Sequence, residues 1–123
     1  MQIEVSNGEI VDKLTILAIK SERIKDETKR ANALKEFVVL RSAAEDIIAQ
    51  NDPLYVELLK INKELWEIED QIRELERRKD FGDRFVQLAR SVYIKNDRRA
   101  ELKRVINFQT KSALIEEKSY EAY

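Results

Sequence analysis

Only three residues in this chain interrupt a helical ladder by their backbone chemistry alone: Gly8, Pro53 and Gly82. The long stretches between them are rich in Glu, Lys, Leu, Ile, Arg and Ala, which give up little conformational freedom on entering a helix. An all-α fold follows as the expectation. At 123 residues the chain fits one domain, residues 1–123, able to bury a core but too short to divide.

The first helix is expected to open at "SNGE". This is a capping box in which the Ser6 hydroxyl accepts from the Glu9 amide and the Glu9 carboxylate reaches back to the Ser6 amide. No breaker then appears until "QNDPLY", where Asp52 can cap and Pro53 suits a first helical turn. The helix can run unbroken to Gln50. The segment "DETKRAN" is poor in apolar residues and allows a break near residues 28–32.

A second helix carries Leu54, Leu58, Ile61, Leu65, Ile68, Ile72 and Leu75 at four-three spacing, a coiled-coil-like seam. Its second row (Tyr55, Leu59, Asn62, Trp66, Glu69 and Arg73) argues for two neighbours and thus for a bundle. Gly82 marks the next turn. A third helix follows with Phe81, Phe85, Leu88 and Val92 on one face, and Asn96 and Asp97 offer a place to bend. From about residue 110 the periodicity fades into a less regular tail, with Tyr120 and Tyr123 available to pack back. The expected architecture is an antiparallel helical bundle of three long helices, or four if the first one breaks.

Length bears on assembly. An unbroken first helix would reach ~60 Å against ~40 Å for each of the others, at ~1.5 Å per residue. Its opening turns, "GEIVDKLTILAI", are apolar on nearly every side and demand burial. Either the helix breaks and folds back, or the N-terminal part of helix 1 pairs with another subunit in a homo-oligomer. Within these turns Asp12 suits the positive helix end, Lys13 can pair with a neighbouring helix, and a surface or interface salt bridge is the preferred reading of both.

Lys and Arg together number 23 and Asp and Glu 24, so no overall field draws nucleic acid or an anionic membrane. The chain has no Cys and no His, which excludes disulfides, thiolate nucleophiles and imidazole-based triads and leaves no typical zinc ligand set. No apolar run is long enough to span a membrane, and the start does not read as a signal peptide. A cytoplasmic protein without cofactor or metal is expected. Glu64, Glu67, Asp80 and Asp83 echo the carboxylate pairs of all-α nucleotide pyrophosphohydrolases, but Glu64 and Glu67 lie off the buried seam and a solvated face is the preferred reading. Helix 1 resembles the first helix of all-α chorismate mutases in rhythm alone.

One face of helix 3 is anomalous. Asn96, Arg99, Lys103 and Asn107 fall in line with Phe85, Leu88, Val92 and Ile106, so polar and cationic groups occupy a core-facing stripe. Buried charges must be paired. In one reading Arg99 bonds an internal acid such as Glu69. In another, Asn96, Arg99, Lys103 and Asn107 form a ligand-binding donor set for a small anion, with Glu69 as counter-ion or base. Solvent exposure beyond a bend at Asn96 is a third. The basic run Lys95 to Arg104 lacks interleaved aromatics, so nucleic acid is not the expected partner.

The segments "SNGEIVDKLTIL", "INKELWEIEDQIRELE", "FVQLARSVYIKNDRRAELKRVIN" and "EEKSY", in this order, resemble a family of short proteins of unknown function from bacteria and phages. The resemblance implies one all-α domain and no particular activity. Where that pattern has Gly before the serine upstream of "EEKSY", this chain has Lys111, which questions the shape of that connection. The functional expectation is a non-enzymatic helical interaction or accessory module that self-associates. The alternative is a protein or enzyme binding a nucleotide, sugar phosphate or dicarboxylate through the polar face.

Overall fold

The computed structural model describes residues 1–123 and is all-helical: α1 (Asn7–Arg23), α2 (Glu27–Ala44), α3 (Pro53–Arg77) and α4 (Asp83–Gln109). The four-helix alternative is the one adopted. Its break lies at Ile24–Asp26, slightly before the expected 28–32. Ile24 and Asp26 are extended (ψ 128° and 120°), and the Asp26 carboxylate accepts from the Lys29 amide at 2.9 Å. That capping bond satisfies an otherwise orphaned helix-end donor, which is why the new helix starts there.

α2 stops at Ala44 rather than Gln50, and a turn carries Ile47 and Ile48 onto the core. At the start of α3 the Asp52 carboxylate accepts from the Leu54 amide at 2.9 Å, with Pro53 in the first turn. α3 closes on Lys79, whose φ of 55° lets the Asp80 amide reach back to the Leu75 carbonyl at 2.9 Å. α4 runs straight through Asn96 and Asp97 without a new cap.

α1 packs against α2, α3 and α4, whereas α2 packs against α1 alone among the helices. The main core joins Val11, Leu14, Ala44, Tyr55, Leu58, Ile61, Leu102 and Ile106. Val11, Leu14, Leu17 and Ile19 are all buried. With α2 folded back, the length mismatch that called for a second subunit at the start of helix 1 disappears.

At ~1.5 Å per residue the 25 and 27 residues of α3 and α4 reach ~37 and ~40 Å, against ~25 Å for the 17 of α1. The α3–α4 hairpin therefore projects past α1, held by a smaller cluster of Ile68, Leu75 and Leu88 flanked by Ile72, Phe85 and Val92. Most of the expected seam is here: Leu58, Ile61, Ile68 and Leu75 are buried, and Leu54, Leu65 and Ile72 are partly so.

Beyond α4 the chain reverses at Lys111, φ 55°, with the Ser112 amide donating to the Asn107 carbonyl at 2.8 Å. Lys111 thus takes the left-handed conformation that a Gly would adopt freely. The tail returns along α4 through Glu117 to Arg104 (2.7 Å) and Lys118 to Asp97 (2.5 Å). Tyr123 meets the Tyr93 ring edge-on, while Tyr120 stays exposed beside Lys118.

Candidate functional site

The anomalous face of α4 lies against α1. The two helices run antiparallel, so residues early in α1 meet residues late in α4. Closest approach is at Gly8: a Cβ there would sit 2.5 Å from the Lys103 carbonyl oxygen and 2.9 Å from Asn107 Oδ1. Only a residue without a side chain fits. The Gly8 amide, one of the helix-start donors that lack an intrahelical partner, donates to Asn107 Oδ1 at 2.6 Å. Asn107 is buried, so its amide serves the α1 start as a cap supplied from another helix.

One turn further, Lys103 Nζ donates to Glu9 at 2.7 Å and lies 3.7 Å from Glu116 of the tail. Glu9 therefore leaves the Ser6 amide, and only half of the expected capping box forms: Ser6 Oγ accepts from the Glu9 amide at 3.2 Å. The Lys103 hydrogen bond holds the Glu9 carboxyl below its ordinary value despite partial burial. Ser6 Oγ donates to Glu116 at 3.2 Å, and the Asn7 amide donates to Ser112 Oγ at 2.9 Å.

The next turn holds the deepest charge. Arg99 forks onto Asp12, Nε to Oδ1 at 2.9 Å and Nη2 to Oδ2 at 2.5 Å. Asp12 is 1% exposed. Its Oδ1 also accepts from Asn62 Nδ2 (2.9 Å), which donates again to Thr15 Oγ1 (2.7 Å), and the Thr15 hydroxyl donates to the Asp12 carbonyl (2.7 Å). Hydrogen bonding to Asp12 raises the Arg99 pKa against the opposing effect of burial. The bidentate geometry and the extra donors are what a buried pair needs to offset its desolvation.

Two expectations are corrected. The counter-ion of Arg99 is Asp12, not Glu69, which instead faces Arg73 at 3.4 Å on the exposed side of α3. Asp12 is no surface group at a helix end, because the antiparallel α1–α4 contact covers it. Lys13 does point outward, 4.0 Å from Glu36 of α2. Glu64 and Glu67 are taken up by Lys95 (2.5 Å) and Arg23 (3.4 Å) rather than grouped with Asp80 and Asp83.

Beside the Asp12–Arg99 pair a cleft of about 490 Å³ opens between α1, α3 and α4. Ile16, Ile19, Leu65, Trp66 and Val92 form its apolar walls, and Asn62, Asn96 and Arg99 form one end. Glu69, Asp70 and Arg73 stand at the other. Of the expected donor set, Asn96, Arg99 and Glu69 are thus gathered at the cleft. Lys103 and Asn107 lie further along α4 and are spent on α1. Asp12, Thr15, Asn62 and Trp66 were not selected from the sequence as site residues. The signal available for the first two was a polar i, i+3 pair inside an otherwise apolar helix.

All 123 residues match the model of a family of unknown function (DUF6165). The chain belongs to this family. No curated protein and no solved structure matches it. DUF6165 brings no activity with it, so the reading of this DUF6165 chain rests on its own geometry. No helix is long and apolar enough to cross a membrane.

Proposed function

We propose that this chain is a non-enzymatic helical interaction module that self-associates through the outward face of α2. The observation that carries the reading is the packing of α2: it rests on α1 alone and leaves Leu34, Val38 and Val39 at 51, 50 and 70% exposure. Apolar residues so placed on a helix with one neighbour suit a second helix. The non-enzymatic part is supported by the α4 face, whose Arg99 and Lys103 are spent on carboxylates of the same chain.

The occupant proposed is a second copy. Leu34 and Val38 form one stripe, with Glu27 and Arg30 near its start and Arg41 and Glu45 near its end. An antiparallel two-fold pairing lays the apolar stripe of one copy on that of the other, while Glu27 and Arg30 neutralise each other within each copy at 2.6 Å. A single helix face of ~27 Å is small beside the ~1,200–2,000 Å² of stable interfaces, so the dimer is expected to be weak.

Sedimentation velocity over a concentration series tests this. Wild type should shift from monomer to dimer between about 10 µM and 1 mM, and Leu34→Glu/Val38→Glu should remain monomeric with unchanged helicity. A wild-type monomer throughout that range refutes the reading, as does a dimer that survives the double substitution.

A further inference from the structure

The cleft beside Arg99 carries an inference independent of the α2 face. Asn62 is 5% exposed and lines this cleft. Its orientation is fixed by chemistry: the atom facing Asp12 must be the amide nitrogen, because an ionised carboxylate only accepts. Both Nδ2 hydrogens are used, on Asp12 and Thr15. Its Oδ1 receives no donor from the chain and opens to the cleft, where it is free to accept from a ligand. A polar atom of a nearly buried side chain with no internal partner, on the wall of a cavity, is a place for a ligand's donor.

Next to this acceptor are donors. Arg99 commits Nε and Nη2 to Asp12, and its Nη1 makes only a long 3.4 Å contact with Asn96 Oδ1. The Asn96 amide nitrogen has no acceptor in the chain. One end of the cleft thus offers a carboxylate-binding guanidinium edge and amide beside an unfilled acceptor. The other end adds Glu69 and Asp70, with Trp66, Leu65 and Val92 between.

Charge decides among ligands. Around the cleft two cations, Arg73 and Arg99, stand against three carboxylates: Asp12, Glu69 and Asp70. A phosphate or a dicarboxylate would enter a site whose one deep cation is already neutralised. A zwitterion brings no net charge and offers one group to the free donors and one to the free acceptor.

We infer that the cleft binds an α-amino acid with an apolar side chain. The carboxylate meets Arg99 Nη1 and the Asn96 amide, and the ammonium meets Asn62 Oδ1 at the same end of the cleft. The side chain lies on Trp66 and its aliphatic neighbours.

Trp66 is the only tryptophan in the chain, so its fluorescence reads the cleft directly. Titration with L-phenylalanine and L-leucine should give a saturable change below about 10 mM, the weakest affinity worth assigning to a site. The matching amines and carboxylic acids, 2-phenylethylamine with 3-phenylpropanoate and 3-methylbutylamine with 4-methylpentanoate, each lack one charged group and should bind at least about tenfold more weakly, a loss of ~1.4 kcal/mol. Asn96→Ala and Asn96→Leu leave the Asp12–Arg99 pair intact and should also weaken binding about tenfold, with circular dichroism confirming an unchanged fold. No saturable change with either amino acid overturns the inference. So does binding of an amine or acid as tight as its parent, or variants that bind like wild type.

Discussion

Replacing Asp12 with Ala removes the only carboxylate hydrogen-bonded to Arg99. Three hydrogen bonds go at once: two from Arg99 and one from Asn62. Breaking a buried ion pair by deleting one member costs about 3–5 kcal/mol, because the other charge stays behind unpaired. Arg99 retains 29% of its side-chain exposure, so water recovers part of this, and about 2–4 kcal/mol is expected. For 123 residues the unfolding entropy is ~0.26 kcal/mol/K, so a 3 kcal/mol loss lowers Tm by roughly 12 °C. The paired replacement Asp12→Leu/Arg99→Met leaves no orphaned charge and should lose markedly less than the single substitutions add up to. Urea unfolding followed by circular dichroism for wild type, both single variants and the double variant gives the coupling energy. A coupling of at least about 2 kcal/mol is expected. Additive losses within ~0.5 kcal/mol, or an Asp12→Ala variant as stable as wild type, refute the assignment of this pair as the central electrostatic contact.

Gly8→Ala should destabilise by about 1–3 kcal/mol in the same unfolding assay, since its Cβ meets the Lys103 carbonyl at 2.5 Å and backbone yields little. Gly82→Ala, whose nearest neighbour would be Asp80 Oδ1 at 3.4 Å, should be tolerated and serves as its control. Lys111→Gly should stabilise by roughly 1 kcal/mol, because the residue already holds φ 55° and Gly removes the strain of a side chain there. Acid should loosen the α1–α4 clasp. Glu9 has its folded pKa depressed, mainly by Lys103, so its contribution is complete above its ordinary 4.5 and is lost as pH falls through the lower folded value. Amide exchange at Asn7 and Gly8, compared between pH 7 and pH 3 after correction for intrinsic rates, should show protection lost at the lower pH; retained protection would count against the Glu9–Lys103 link.

Helix content was legible because it rests on local chemistry. The Asp52–Pro53 start, the α3 seam and the Gly82 turn are written in neighbouring residues. The break before α2 was only half legible: "DETKRAN" showed weak apolar drive, but Asp26 competes as a cap with several nearby polar residues, and the fold-back that favours it is tertiary. The polar face of α4 was visible as a face, and its need for a partner followed from the cost of buried charge. Its partner was not visible. Asp12 lies 87 residues from Arg99, and periodicity assigns residues to faces without saying which faces meet. Glu69 lay on the correct helix to reach the cleft, yet the antiparallel register of α1 on α4 placed another carboxylate against Arg99. Asn62 sat in a recognised contact row, but its unmet carbonyl appears only once both hydrogens of its amide have been placed.

The clasp at Gly8, Asp12 and Asn107 also sets an order of assembly during synthesis. The α3–α4 hairpin joins neighbours in sequence and forms from local contacts, whereas α1 must wait for the last helix. At roughly 5–20 residues per second a ribosome takes about 4–17 s to pass from Asp12 to Arg99. Throughout that interval Asp12 is a carboxylate amid apolar side chains with no guanidinium to meet it. An ionised Asp12 keeps that surface hydrated and disfavours premature burial, so the residue that locks the finished bundle also restrains the nascent one until its partner has been made.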